Sequence, residues 1–88
     1  MSLVTAFKID GLKIWFWSND HEPPHFHVKQ NGKWEVKVSF LEEPSGMIEI
    51  VFGKPKSKAL KELTELTEQH RLELLEQWQQ IRESEAGE

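Results

Sequence analysis

The chain has 88 residues, no cysteine and a formal net charge of −4. This length suits one domain with a modest core, and the lack of cysteine excludes disulfides and thiolate metal sites. The net charge comes entirely from residues 57–88, where eight acidic side chains outnumber four basic ones, so nucleic-acid binding by the isolated chain is not expected. With no secretory signal and no long apolar run, the sequence predicts a cytoplasmic protein without a membrane segment.

The first strands are predicted on either side of a turn at Asp10-Gly11, a pair of residues that favours a hairpin. Residues 3–9 are β-prone, and residues 12–17 alternate in the manner of a return strand. Side chains of a strand point alternately to opposite faces. The alternation therefore places Leu12, Ile14 and Phe16 on one face, and Lys13, Trp15 and Trp17 on the other.

Three further strands are predicted in residues 25–52. In residues 25–29 we expect Phe26 and Val28 to point inward, and His25, His27 and Lys29 to point outward. Asn31-Gly32 predicts a second tight hairpin. The strand over residues 33–40 places its inward side chains at Trp34, Val36, Val38 and Phe40, and the fifth strand places them at Ile48, Ile50 and Phe52.

Residues 57–85 have the apolar spacing of helices, with Ser57 as the predicted N-cap. Polar residues interrupt the apolar stripe in the middle, so two helices at about 58–68 and 70–84, or one helix bent near Thr67, remain alternatives. His70 is expected to be a hydrogen-bonded helix or kink residue, and Trp78 a core residue. The tail at 86–88 is expected to fray.

Together these elements predict a single α+β domain over residues 1–88. Its sheet part, residues 1–56, is an antiparallel meander of about five strands packed on one or two C-terminal helices. A sheet covered by helices on one side leaves its other face open. That open face is expected to carry Trp15, Trp17, His25, His27, Lys29, Glu35, Lys37 and Glu49.

The run from Ser18 to Val28 is the best candidate site because it holds three of the four histidines, two prolines and two carboxylates. Residues i and i+2 of a strand point to the same side, so His25 and His27 are expected to face one ligand. Asp20 and His21 lie just upstream on a loop that Pro23-Pro24 stiffens. The candidate catalytic residues are therefore Asp20, His21, His25 and His27.

Four interpretations of this run stay open. Histidines with a carboxylate suit general acid–base chemistry, as in a metal-independent ribonuclease. His25 and His27 also have usable spacing for a divalent metal such as zinc. Exposed aromatic and basic residues suit a binding surface, here Trp15, Trp17, Lys29 and Lys37. Finally, the polar loop residues have an ordinary role in local hydrogen bonding.

The same run resembles the signature of a bacterial family of small proteins described as a domain of unknown function. The resemblance lies in Asn19-Asp20-His21-x-Pro23-Pro24-His25-x-His27-Val28, preceded by Ile14-x-Phe16-x-Ser18. It continues into the closing helix at His70-Arg71-x-x-Leu74-Leu75-x-x-Trp78. Where the family commonly has Asn before that Arg, this chain has His70.

The resemblance implies a compact β-meander packed on C-terminal helices. Members are often encoded next to another short protein, an arrangement similar to a toxin–antitoxin unit. It therefore implies a small partner protein encoded nearby and action by protein–protein contact. The alternative is a small ribonuclease-like enzyme or a metal-dependent hydrolase that uses His21, His25 and His27. An enzyme predicts that these side chains converge beside a cavity, whereas a binding module predicts splayed histidines and exposed Trp15 and Trp17. A homodimer through the open sheet face or the helix is a further expectation.

Overall fold

A computed structural model describes residues 1–18 and 21–86 of the chain. Its strands are β1 (Ser2–Leu3), β2 (Lys13–Phe16), β3 (Phe26–Gln30), β4 (Trp34–Val38) and β5 (Ile48–Gly53). Its helices are α1 (Pro44–Met47), α2 (Ser57–Gln69) and α3 (Arg71–Ala86). Strands precede the two long helices, and the predicted α+β class with a five-stranded antiparallel sheet and C-terminal helices is confirmed.

The five strands form one sheet in sequence order, and every neighbouring pair is antiparallel. The predicted hairpin at Asn31-Gly32 joins β3 to β4. Gln30 pairs with Trp34 across a three-residue turn, and the Lys33 N–H donates to the Gln30 carbonyl at 2.9 Å. Gly32 has a φ of +75°, which is the conformation that this turn requires and that glycine adopts without strain.

The long first strand predicted over residues 3–9 is wrong, because β1 ends at Leu3. Val4 and Phe7 are both buried, at 6% and 8% exposure, and this three-residue spacing does not fit a strand. Phe7 leaves the sheet and packs edge-on against Phe26, with ring centroids 6.0 Å apart. The Asp10-Gly11 turn does form, since the Leu12 N–H donates to the Ile9 carbonyl at 3.1 Å.

One face of the sheet forms the core, which we call the core face. Strand alternation places bulky apolar side chains there, and α2 and α3 cover them with Leu63, Leu74 and Trp78. Removing such apolar area from water stabilises the fold by roughly 25 cal/mol per Å². Trp34 and Trp78, each 3% exposed, are core residues as predicted. Among the described residues, the largest fully buried side chains are those of Phe16, Phe26, Phe40, Met47, Leu63, Leu74, Val28, Val36, Val38 and Thr67.

The helical part consists of two helices that are separated at His70. The His70 N–H bonds to the carbonyls of Leu66 and Thr67, and its carbonyl accepts from the Leu74 N–H at 2.9 Å. Its Nδ1 lies 2.9 Å from Glu73 Oε1, so the expected hydrogen-bonded kink residue is confirmed. The break falls three residues beyond Thr67, which stays inside α2 and donates from Oγ1 to the Leu63 carbonyl at 2.7 Å.

The ends of the helical part differ from the prediction in detail. Lys56, not Ser57, is the N-cap of α2, and it makes no side-chain cap hydrogen bond. Of the tail predicted to fray, Ala86 still belongs to α3, and residues 87–88 lie outside the described part. Among the described helices, none combines the length and the apolar composition that crossing a membrane requires.

The fifth strand departs from its predicted facing because of a bulge. Glu35 pairs with Phe52 and Val36 with Ile50, so Val51 is an extra residue in β5. A bulge of this kind reverses the alternation beyond it. Phe52 therefore faces away from the core, and it is 48% exposed. Ile50 stays on the core face but is 53% exposed, so the predicted burial of both residues is wrong.

Candidate functional site

The face of the sheet opposite the core, which we call the outer face, is organised by strand register into two cross-strand rows. The hydrophobic residues of α2 and α3 join the core cluster, so both helices lie on the opposite side of the sheet. Directly opposed residues of antiparallel strands share a face. One row runs through Leu3, Trp15, His27, Lys37 and Glu49, and the other through Lys13, Lys29, Glu35 and Phe52.

Trp15 lies at the centre of this face. It is buried, contrary to the prediction that it would be exposed. Only 3% of it reaches solvent, because neighbouring side chains enclose the ring. The His27 imidazole stacks on it with centroids 5.4 Å apart and planes 25° apart. Trp17 meets it edge-on at 5.9 Å. Trp17 itself is 44% exposed, which matches the prediction for that residue.

Two lysines complete the enclosure of Trp15. Lys13 Nζ lies 5.3 Å and Lys29 Nζ 5.7 Å from the ring centroid. Ammonium groups within about 6 Å of an indole are attracted by its π electrons. The Trp15 Nε1 is buried and has no hydrogen-bond acceptor among the described residues. The indole is therefore held by contacts with its faces and edges.

The rings of His25 and His27 lie close together. His25 is buried, however, contrary to the prediction that it would face solvent. Their ring centroids are 5.2 Å apart with planes at 72°. His25 lies one residue before β3 and is 6% exposed. Its ring packs against Trp78 of α3 at 5.7 Å. Trp78 covers the ring, and a local hydrogen bond orients it, because the Pro23 carbonyl lies 2.8 Å from His25 Nδ1.

The hydrogen bond to Pro23 also decides the tautomer of the neutral His25 ring. A carbonyl oxygen only accepts, so Nδ1 must donate, and in the neutral ring only Nε2 keeps a lone pair. On His27, Nδ1 lies 4.0 Å from Glu35 Oε2, which is beyond hydrogen-bond reach. The two imidazoles thus present different chemistry: His25 is oriented by a backbone acceptor, and His27 is oriented by stacking on Trp15.

The structure tests the other predicted catalytic residues only in part. His21 is exposed on the loop before β3, and Asp20 lies outside the described residues. Within residues 1–18 and 21–86, no group of three His, Asp or Glu side chains is arranged to hold a metal ion. Acid–base chemistry and a divalent metal at His25 and His27 therefore stay predictions.

A recess of about 460 Å³ lies beside Trp78, between α3 and the loop before β3. As far as the described residues define it, neither His25 nor His27 lines it, although Trp78 contacts His25. The Arg82 guanidinium lies over the Trp78 ring at 5.3 Å. This recess thus lies next to the histidine pair, and neither histidine is among its lining residues. Its lining residues are Glu22, Pro24, Leu75, Trp78, Gln79, Arg82 and Glu83.

A second recess, also of about 460 Å³, contains the two lysines that flank Trp15. Lys13 and Lys29 are directly opposite each other on β2 and β3. Like charges in this position destabilise a sheet, and contact with the Trp15 ring offsets part of that cost. In the described part of the chain, the other lining residues are Gly11, Leu12 and Asn31, none of which is a carboxylate. Glu35 lies directly opposite Lys29 on β4 but does not line the recess.

Sequence reasoning placed Lys29 in the binding set but missed Lys13. Alternation already put Lys13 on the same face as Trp15, which was the available signal. What alternation does not give is the register between β2 and β3, because a long loop joins them and its length does not fix the pairing. Only the register between β2 and β3 places both Lys13 and Lys29 beside the Trp15 ring.

The stacking of His27 on Trp15 is expected to contribute to the stability of the fold. Replacing His27 by alanine should lower the free energy of unfolding by about 1–2 kcal/mol, because the ring contact and its buried area are both lost. The matched variant His27→Phe keeps an aromatic ring and should stay within about 1 kcal/mol of the wild type. Urea unfolding followed by tryptophan fluorescence measures both, and equal losses in the two variants would contradict the stacking role.

Comparison with known proteins gives one finding. A family model described as a domain of unknown function, DUF4160, matches residues 11–79. That span contains β2 to β5, α1, α2 and the first half of α3, and thus the lysine recess, the histidine pair and all lining residues of the recess beside Trp78 except Arg82 and Glu83. Neither the curated proteins nor the solved structures contain a significant match.

Proposed function

This chain belongs to the DUF4160 family of domains of unknown function, and we propose that it is one protein of a bacterial toxin–antitoxin-like pair. It acts by direct contact with a small partner protein encoded nearby. The contact lies on the outer face of the sheet. The observation that supports this most is the Lys13–Lys29 pair over Trp15, in a recess whose described lining residues include no carboxylate, with Glu35 opposite Lys29 on β4.

The outer face has the composition of a protein-binding surface. Trp17 is 44% exposed and Leu3 is 59% exposed, and both lie beside the enclosed Trp15. Aromatic residues are enriched where proteins bind one another, and they contribute most when a partner covers them. Trp15 is already enclosed by its neighbours, so a partner that covers Trp17 does not have to order the surface beneath it.

The charge of the face indicates what the partner presents. A carboxylate placed between Lys13 and Lys29 would relieve their repulsion and gain two charge-assisted hydrogen bonds. Lys37 extends the basic character along the same face, although it pairs with Glu49 on β5. The acidic residues of α2 and α3 disfavour a polyanion such as nucleic acid. The partner therefore presents an acidic protein segment to the outer face.

The proposal is tested with the short protein encoded beside this chain as the probe. The double variant Lys13→Gln/Lys29→Gln removes both charges but keeps much of the aliphatic length of each side chain. We expect it to weaken binding, measured by titration calorimetry, by about 10- to 100-fold. Trp17→Ala should weaken binding by about tenfold.

The matched control is Lys61→Gln, which removes an exposed lysine from α2 and should leave the affinity unchanged. Circular dichroism confirms that each variant is folded. Binding that survives both outer-face variants, or that Lys61→Gln weakens equally, would contradict the proposed surface. No binding of the wild type to the neighbouring protein would contradict the pairing itself.

The alternative, a small ribonuclease-like or metal-dependent hydrolase, predicts a different outcome. The contact between His25 and His27 is the feature that favours it. In that case expression of the wild type arrests growth and degrades cellular RNA, and His25→Ala/His27→Ala abolishes both effects. Lys13→Gln/Lys29→Gln would then retain the activity. Under the proposed function, Lys13→Gln/Lys29→Gln weakens binding to the partner protein. Any effect of His25→Ala/His27→Ala then has a cause other than the loss of catalytic activity.

A further inference from the structure

The β5 strand forms an open edge of the sheet. In the sheet order of the described residues, β5 is hydrogen-bonded to β4 and ends the sheet. Ile50 is 53%, Val51 52% and Phe52 48% exposed. Three consecutive large apolar side chains with half of their surface in water are unusual on an edge, since unpaired N–H and C=O groups beside them attract another strand.

The usual protections of an edge are weak here. Edge strands are commonly blocked by lysine, proline or inward-pointing charges, but the sequence of β5 contains one charged residue, Glu49, and no proline. The bulge at Val51 bends the strand, yet it leaves the apolar triplet exposed. With six residues, Ile48–Gly53, the strand is long enough to accept a full partner strand.

Charge is distributed unequally along this edge. The N-terminal end is acidic, with Glu49 in the strand and Glu42 and Glu43 just before α1. The C-terminal end is basic, because Lys54 and Lys56 follow the strand and share a recess with Lys33 and Lys58. Asp10 and Glu62 also line that recess, but four lysines outnumber the two carboxylates. The edge thus has opposite charges at its two ends.

We infer that β5 pairs in antiparallel orientation with β5 of a second copy of this chain. In antiparallel pairing about a two-fold axis, the acidic end of each strand lies beside the basic end of the other. The order of charges on β5 is therefore complementary to itself. The apolar triplets meet at the axis, and both open edges are paired at once.

The resulting dimer joins two five-stranded sheets into one of ten strands, with the two outer faces side by side. It leaves the lysine recess free for the proposed partner, because β5 pairs through its edge while Lys13 and Lys29 lie on β2 and β3. Edge pairing buries little area, so the dimer should be weak, with a dissociation constant on the order of 10–100 µM. It should therefore depend clearly on concentration.

Sedimentation velocity on the full chain tests the inference. The wild type should sediment as a monomer at about 1 µM and mainly as a dimer at about 1 mM, as follows from that dissociation constant. Val51→Lys places two ammonium groups at the axis and should leave a folded monomer at every concentration. Leu72→Lys is the matched control, because Leu72 is exposed on α3, and its dimerisation should equal that of the wild type.

A charge exchange distinguishes this pairing from any other. Glu49→Lys alone and Lys54→Glu alone should each weaken the dimer at least tenfold, because like charges then meet at both ends. The double variant Glu49→Lys/Lys54→Glu reverses both ends and should restore dimerisation. A wild type that stays monomeric at about 1 mM would overturn the inference. A dimer that survives Val51→Lys, or no recovery in the double variant, would overturn it as well.

Discussion

Replacing Trp78 by alanine should lower the free energy of unfolding by about 3–5 kcal/mol. Trp78 is 3% exposed and joins α3 to the sheet. Its ring lies 6.1 Å from that of Phe16 and 5.7 Å from that of His25. The variant loses this buried area and leaves a large cavity. Domains of this size have total free energies of unfolding of about 5–15 kcal/mol. The expected loss is therefore a large part of the total stability.

Thermal unfolding followed by circular dichroism measures the effect, with an expected fall in Tm of about 15–30 °C. Leu72→Ala is the control, since Leu72 is 70% exposed on the same helix and should change the stability by less than about 0.5 kcal/mol. A Trp78→Ala variant as stable as the Leu72→Ala variant would show that α3 does not depend on this anchor. Because the His25 ring packs against the Trp78 ring, Trp78→Ala also removes a contact that holds the histidine pair in place.

Replacing Gly53 by alanine should destabilise the protein by about 2–5 kcal/mol, from a left-handed backbone and from overpacking together. Gly53 has a φ of +78° and pairs with Trp34 at the end of β5. A Cβ at this position would collide with the Lys33 carbonyl oxygen and lie 2.7 Å from the Trp34 Cα. Both neighbours are backbone atoms, so no side chain can move aside and the strand must shift.

Gly32→Ala is the matched control for Gly53→Ala. Gly32 has a similar φ of +75° but has no atom within 4 Å of an added Cβ. Its variant should lose only the conformational part, about 1–2 kcal/mol. The difference between the two, measured by urea unfolding, isolates the cost of the close approach. Equal losses would mean that β5 adapts freely to the added methyl group.

Much of the fold follows from the sequence alone. Alternation in residues 33–40 predicts the buried Trp34, Val36 and Val38, and Asn31-Gly32 predicts the hairpin that joins β3 to β4. The apolar period after Ser57 predicts helices and a buried Trp78. These features depend on neighbours within a few residues, where side-chain direction and turn preference act directly.

The predicted exposure of the candidate site residues was only partly right, because side chains from distant positions cover two of them. The sequence identified His25, His27, Trp15 and Trp17 as residues of one region, and His25 and His27 do come together. It predicted exposure for Trp15 and His25, and both are buried. Each has side chains from distant positions against its ring: Trp15 is covered by Lys29 and His27, and His25 is covered by Trp78.

Local pattern thus determines which residues become strand, turn and helix, and which side chains alternate toward the core. Tertiary structure alone decides the register that sets Lys13 opposite Lys29, the bulge that turns Phe52 outward, and the helix that closes over His25. The physical reason is that register, bulges and helix docking are chosen by contacts between segments far apart in sequence. Their energies depend on how whole surfaces fit together, which no short window of residues contains.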